Sequence, residues 1–101
     1  MADQSIWKFE LPVEDEVSVE MPRGSRVLSV GVQGVRIFLW ALCPTGRVPK
    51  EVRRFAIRGT GHPADGVSRN GFIGTVMLHG DALVFHVFER QEVPRGPKEG
   101  A

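Results

Sequence analysis

A chain of 101 residues, 42% hydrophobic and 25% charged, is the material of one ordinary globular domain. Its single cysteine, Cys43, excludes an internal disulfide framework and a multi-cysteine zinc site, and no apolar run approaches the ~20 residues of a membrane-spanning helix. No basic flank followed by an apolar stretch opens the chain, so a soluble protein of a reducing compartment, with no membrane partner, is expected.

The formal net charge is +1, but it is unevenly placed. Residues 1–21 carry six acids against Lys8, whereas residues 22–58 carry eight bases against Glu51. Arginine outnumbers lysine ten to three, and arginine makes planar bidentate contacts with carboxylates and phosphates. The basic middle therefore suits either an external anion or the acidic N-terminal segment of the same fold. The near-neutral total falls short of the strongly basic balance of duplex-binding domains, so duplex nucleic acid is not an expected partner.

In chain order, the first expected strand covers residues 6–11, with Trp7, Phe9 and Leu11 on one face. Residues 16–21 alternate more cleanly, Val17, Val19 and Met21 facing inward, as in an antiparallel strand wet on one side. Pro22, Arg23 and Gly24 form a turn. Residues 26–32 follow, with Leu28, Val30 and Val32 on the apolar face. Residues 37–42 are apolar on both faces, which predicts a central strand covered on both sides. Residues 51–58 place Phe55 and Ile57 on the core face, and Arg54, Ala56 and Arg58 opposite. Residues 59–71 are glycine-rich and irregular, and helix is expected at most in residues 44–50 or 63–70.

Residues 72–79 and 82–89 flank Gly80-Asp81, a hairpin signal. With those two residues as the loop, Met77 opposes Val84 and Thr75 opposes His86. One face then carries Phe72, Gly74, Val76, Leu78, Leu83, Phe85 and Val87, and is the core side. The other carries Ile73, Thr75, Met77, His79, Ala82, Val84, His86 and Phe88, which is too apolar for water, so a second sheet or a second subunit is expected over it. Ile73, Met77, Val84 and Phe88 are the candidate interface. The fold expected is an all-β single domain of about seven strands over residues 1–89, an antiparallel sandwich or small barrel, followed by a flexible tail at residues 90–101.

Chemistry is sparse. His79 and His86 share a face but lie ~14 Å apart along the hairpin, too far for one metal ion, and His62 is remote in sequence. No nucleophile elbow surrounds a serine. No catalytic residue, metal or cofactor is expected. Arg58-Gly59-Thr60-Gly61-His62-Pro63 is the best candidate site. Its backbone N–H groups, the Thr60 hydroxyl and Arg58, with Arg53 and Arg54 nearby, could hold an anion; as plain structure, the same residues are a conformationally demanding loop in which glycine supplies positive φ and His62 caps a carbonyl. Stacking of nucleobases would need exposed aromatics beside bases, and Trp7, Trp40, Phe55 and Phe85 all fall on faces assigned to the core.

Ile6-Trp7-Lys8-Phe9, Leu39-Trp40-Ala41, Gly59-Thr60-Gly61-His62-Pro63, Ile73-Gly74-Thr75 and Leu83-Val84-Phe85-His86-Val87-Phe88-Glu89, in this order over residues 6–89, resemble a family of small phage and prophage proteins catalogued as a domain of unknown function. The resemblance implies expression inside an infected bacterium, in the host cytoplasm, and transfers no catalytic residue. The function expected is that of a non-enzymatic accessory protein in host takeover or counter-defence. It would self-associate and bind a host factor, or sequester a small nucleotide-like anion at Arg53, Arg54, Arg58, Thr60, Gly61 and His62. The alternative is a virion component, such as a capsid decoration or head–tail accessory protein.

Overall fold

The computed structural model describes residues 3–90. They form seven strands: β1 (Gln4–Leu11), β2 (Glu16–Pro22), β3 (Arg26–Gln33), β4 (Arg36–Pro44), β5 (Lys50–Gly59), β6 (Phe72–Leu78) and β7 (Leu83–Glu89). All pairings are antiparallel, in a three-stranded sheet of order β1-β4-β3 and a four-stranded sheet of order β2-β5-β7-β6. The expected all-β sandwich is what the chain forms. Of the expected tail at residues 90–101, all but Arg90 lies outside the described residues, and Arg90 itself donates its backbone N–H to Arg54 O at 2.8 Å.

The sheets meet through the apolar half of each alternating strand. In the three-stranded sheet, Phe9, Leu39 and Val30 form one cross-strand row, and Leu11, Ile37 and Val32 the next. In the four-stranded sheet Val17 faces Phe55, Ile57 faces Val87 and Val76 faces Phe85. Phe55 is fully buried at the centre of this cluster, where truncation to alanine costs about 3–5 kcal/mol. The edge strands β3 and β6 close one side of the sandwich: a Cβ at Gly74 would stand 2.9 Å from Val30 Cγ1.

Two bulges rearrange the expected faces. One shifts the β3–β4 register between Val27 and Ser29, so Val27 packs on the core and Leu28 is 51% exposed. The other shifts β6–β7 between Phe72 and Gly74. From Leu78 to Thr75 the hairpin keeps the expected partners; beyond Gly74 the extra residue turns Ile73 onto the core and Phe72 outward, correcting Ile73 as an outer-face residue. The hairpin loop closes by Ala82 N–H donating to His79 O, with Gly80 (φ 61°) and Asp81 (φ 75°) both left-handed, the signature of a type I′ turn. The short 3-10 turn, Arg69–Gly71, begins within the second expected helical window and ends just past it.

Trp40 is a further correction. β4 is central in its sheet, yet the second sheet covers only one of its faces. Ile37, Leu39, Ala41 and Cys43 are buried, while Phe38, Trp40 and Leu42 are half-buried on the outside. Trp7 lies on the inner side of edge strand β1 but is 44% exposed.

Candidate functional site

Alternation along β5 divides the expected anion-binding set. Arg53 shares the inner side with Phe55 and Ile57; Arg54 and Arg58 lie on the outer side. The two groups occupy different surroundings.

β5 begins at Lys50, but its neighbour β7 pairs with it only from Phe55 to Gly59. The N-terminal half of β5 therefore has β2 on one side and a gap on the other. Across that gap runs the start of β3, and the 3-10 turn and the start of β6 close its end. The result is an open groove of about 760 Å³. Arg26, Arg53, Arg54 and Arg90 line it against a single carboxylate, Glu89, and Val27, Leu28, Val52, Phe72 and Ile73 supply apolar walls.

Arg53 organises the groove. Its Nε and Nη2 grip the two carboxylate oxygens of Glu89, the latter at 3.2 Å, and its Nη1 donates to Ser25 O at 2.8 Å and to Glu51 Oε2 at 3.2 Å. The hydrogen bonds that Arg53 donates to Glu89, with the charges of Glu89 and Glu51, outweigh desolvation and raise the Arg53 pKa. This fork ties β5 to the end of β7 and to the β2–β3 turn, where buried Ser25 donates its hydroxyl to Pro22 O at 2.6 Å. At the groove's inner end, a Cβ at Gly71 would fall 2.1 Å from Glu89 O, so only glycine fits against the β7 backbone.

The glycine-rich loop is built differently. The Arg58 guanidinium donates to Asp15 O (2.7 Å), Asp65 O (2.9 Å), Ile57 O (3.3 Å) and Glu16 Oε2 (2.9 Å). Asp15, Glu16, Asp65 and His62 surround it in a depression of about 420 Å³. Burial raises the Glu16 pKa, but hydrogen bonds and charge from Arg58 and Arg90 outweigh it, and the net direction is downward. The loop's donors are also engaged: Thr60 N–H reaches Val84 O and His62 N–H closes a turn on Gly59 O. Gly61 holds φ 85°, and the His62 ring lies against Gly59, where a Cβ would be 2.9 Å from Nδ1. Thr60 Oγ1 is bonded to His86 Nε2 at 2.6 Å, and Thr75 Oγ1 to His86 Nδ1 at 2.9 Å. The turn is thus held by its own polar groups, and its depression carries three carboxylates beside one guanidinium.

The structure thus places Arg53 and Arg54 at the groove, and Arg58, Thr60, Gly61 and His62 at the loop. Arg26, Gly71 and Phe72 belong to the groove and carry no sequence motif, and Glu89, the last residue of the Leu83–Glu89 motif, lines it with them. Of the candidate interface, Met77 is 51% exposed, and Val84 and Phe88 are half-buried on the outer side of the hairpin, where Phe88 meets Phe72 edge-on at 5.4 Å.

A family profile described as Domain of unknown function (DUF7352) matches residues 2–96. No curated protein and no solved structure matches the chain.

Proposed function

The chain belongs to the DUF7352 family, and we propose that it is a non-enzymatic binding module whose ligand is a small anion with an apolar or aromatic part, a nucleotide-like molecule, held in the Arg53 groove. One observation carries this reading: four arginines and one carboxylate line an open groove whose remaining walls are largely apolar. Its volume, about 760 Å³, falls within the range of small-molecule sites. Arg53 is forked onto Glu89 and Arg90 donates to Glu16 at 2.9 Å, so both shape the groove; Arg26 on the facing wall meets the anion, and Arg54 adds positive charge on the other. Leu28 and Phe72, both about half exposed, offer apolar contact to a base or ring. In the setting that the resemblance to phage and prophage proteins implies, such a module acts in the host cytoplasm by sequestering its ligand in host takeover or counter-defence.

Calorimetric titration with nucleoside mono-, di- and triphosphates, with inorganic phosphate in parallel, tests it. Micromolar binding of a nucleotide, weaker binding of phosphate, and a loss of at least about tenfold in the Arg26→Ala/Arg54→Ala variant are expected, since charge-assisted hydrogen bonds contribute about 1.5–3 kcal/mol each. Absence of nucleotide binding at millimolar concentration, or binding indifferent to both substitutions, refutes it.

A second reading, self-association as in a virion component, is favoured by the apolar strip of Phe72, Met77, Val84 and Phe88 on the outer side of the hairpin. Light scattering distinguishes it: an oligomer that Met77→Lys disperses supports this reading, and a monomer at high concentration removes it.

A further inference from the structure

The outer face of the three-stranded sheet meets the groove at the start of β3, through Arg26 and the exposed Leu28. Phe38 and Trp40 stand on it as i, i+2 neighbours of β4, their ring centroids 6.4 Å apart and their planes tilted by 51°. Opposite Phe38 in the ladder is Gly31. A Cβ there would lie 3.1 Å from Trp40 Cζ3, so the missing side chain is what lets the indole extend sideways across β3. Cations surround the pair. Lys8 Nζ sits 4.5 Å from the Phe38 ring centroid and is steadied by Gln33 Oε1 at 2.8 Å. Arg26 lies beside Leu42 at one end of the face, and Arg36 lies at the other, 3.7 Å from Glu10.

We propose that this face is a stacking platform for single-stranded nucleic acid. Two adjacent aromatics spaced by the strand repeat, with cations on three sides, match the chemistry of consecutive bases on a charged backbone: rings take the bases, and Lys8, Arg26 and Arg36 take the phosphates. In this proposal Lys8 leaves the Phe38 ring for a phosphate as a base takes its place. Charge selects this occupant over a second copy of the chain. Among the described residues, Lys8, Arg26 and Arg36 oppose only Glu10 on this face, so two copies stacked here would press like charges together. In a duplex the base faces are already stacked, and the rings have nothing to receive.

The test uses the full chain with Trp7→Phe, which leaves Trp40 as its only indole. Titration with an oligothymidylate of about twelve nucleotides at low salt is expected to quench Trp40 fluorescence with micromolar affinity. Trp40→Leu and Phe38→Leu, each read by anisotropy of a labelled oligonucleotide, should weaken binding about tenfold. Lys8→Gln/Arg26→Gln should weaken it and flatten its salt dependence. A duplex of equal length should compete poorly. Three results overturn the proposal: no binding at about 100 µM oligonucleotide in low salt, unchanged affinity in both aromatic variants with native circular dichroism, or a dimer dispersed by Trp40→Leu in a chain that binds no oligonucleotide.

Discussion

Arg53 and Arg58 lie on one strand and end in opposite circumstances. Arg58 is enclosed by three carbonyl oxygens and Glu16, in a depression with more carboxylates than cations. Arg53 is also forked onto a carboxylate, but it stands where β7 stops short of the start of β5, among three further arginines and apolar walls. A run of arginines in a sequence is therefore no map of positive potential. Strand parity and the lengths of neighbouring strands decide which cations are neutralised at home and which border open space.

The sharpest way to break the contrast is Gly71→Ala. Its Cβ would meet a backbone carbonyl, not the end of a flexible side chain, so β7 must shift and the Glu89 anchor with it. A stability loss of about 3 kcal/mol is expected, measured by urea unfolding. Arg53→Ala comes next. It leaves the partly buried Glu89 without its fork and Ser25 O without its donor, and about 2–3 kcal/mol should be lost.

Arg58→Ala should cost about 1–2 kcal/mol, through the carbonyls it serves, and leave nucleotide affinity untouched. Arg26→Ala, in contrast, should stay within about 0.5 kcal/mol of the parent stability while weakening nucleotide binding. If Arg58→Ala abolishes binding and Arg26→Ala does not, the two sites have been assigned the wrong way round.

The smallest effect is a pH effect. The folded-state Glu16 pKa lies below the ordinary 4.5, so the folded chain binds fewer protons there than the unfolded one. Its contribution is fully present above pH 4.5 and fades as pH falls through the lowered folded-state value. Because the Glu16 side chain is about half exposed, the difference from Glu16→Gln should be only a few tenths of a kcal/mol at neutrality and vanish in acid, as paired unfolding curves would record.

Much of this architecture was legible in the sequence because alternation survives wherever a strand is unbroken: β1 and β2 read directly from their side-chain order. It failed at the bulges. One unpaired residue reverses the parity of everything beyond it; the β3 bulge carries no glycine, whereas Gly74 at the β6 bulge is an in-strand glycine of the kind that marks one. Trp40 misled for another reason. An apolar run on both faces predicts cover on both, but β4 has neighbours at its sides and a sheet on one face only. The groove was hidden because it arises from a mismatch in strand length between chain segments far apart in sequence. The glycine loop advertised itself by composition, which expressed the demands of its turn.

The order of pairing carries a consequence for how the chain reaches this state. β3 with β4 and β6 with β7 are sequence neighbours, whereas β1 must wait for β4 and β2 for β5. Loop-closure entropy makes such distant pairings late and slow, so the two C-terminal halves of the sheets nucleate and the N-terminal strands zip onto them afterwards. During synthesis β1 and β2 leave the ribosome before either partner exists, and their edges are open to other chains for that interval. Pulse-labelled hydrogen exchange should therefore find the β3–β4 and β6–β7 amides protected first, and aggregation during refolding should be relieved most by charges added to β1.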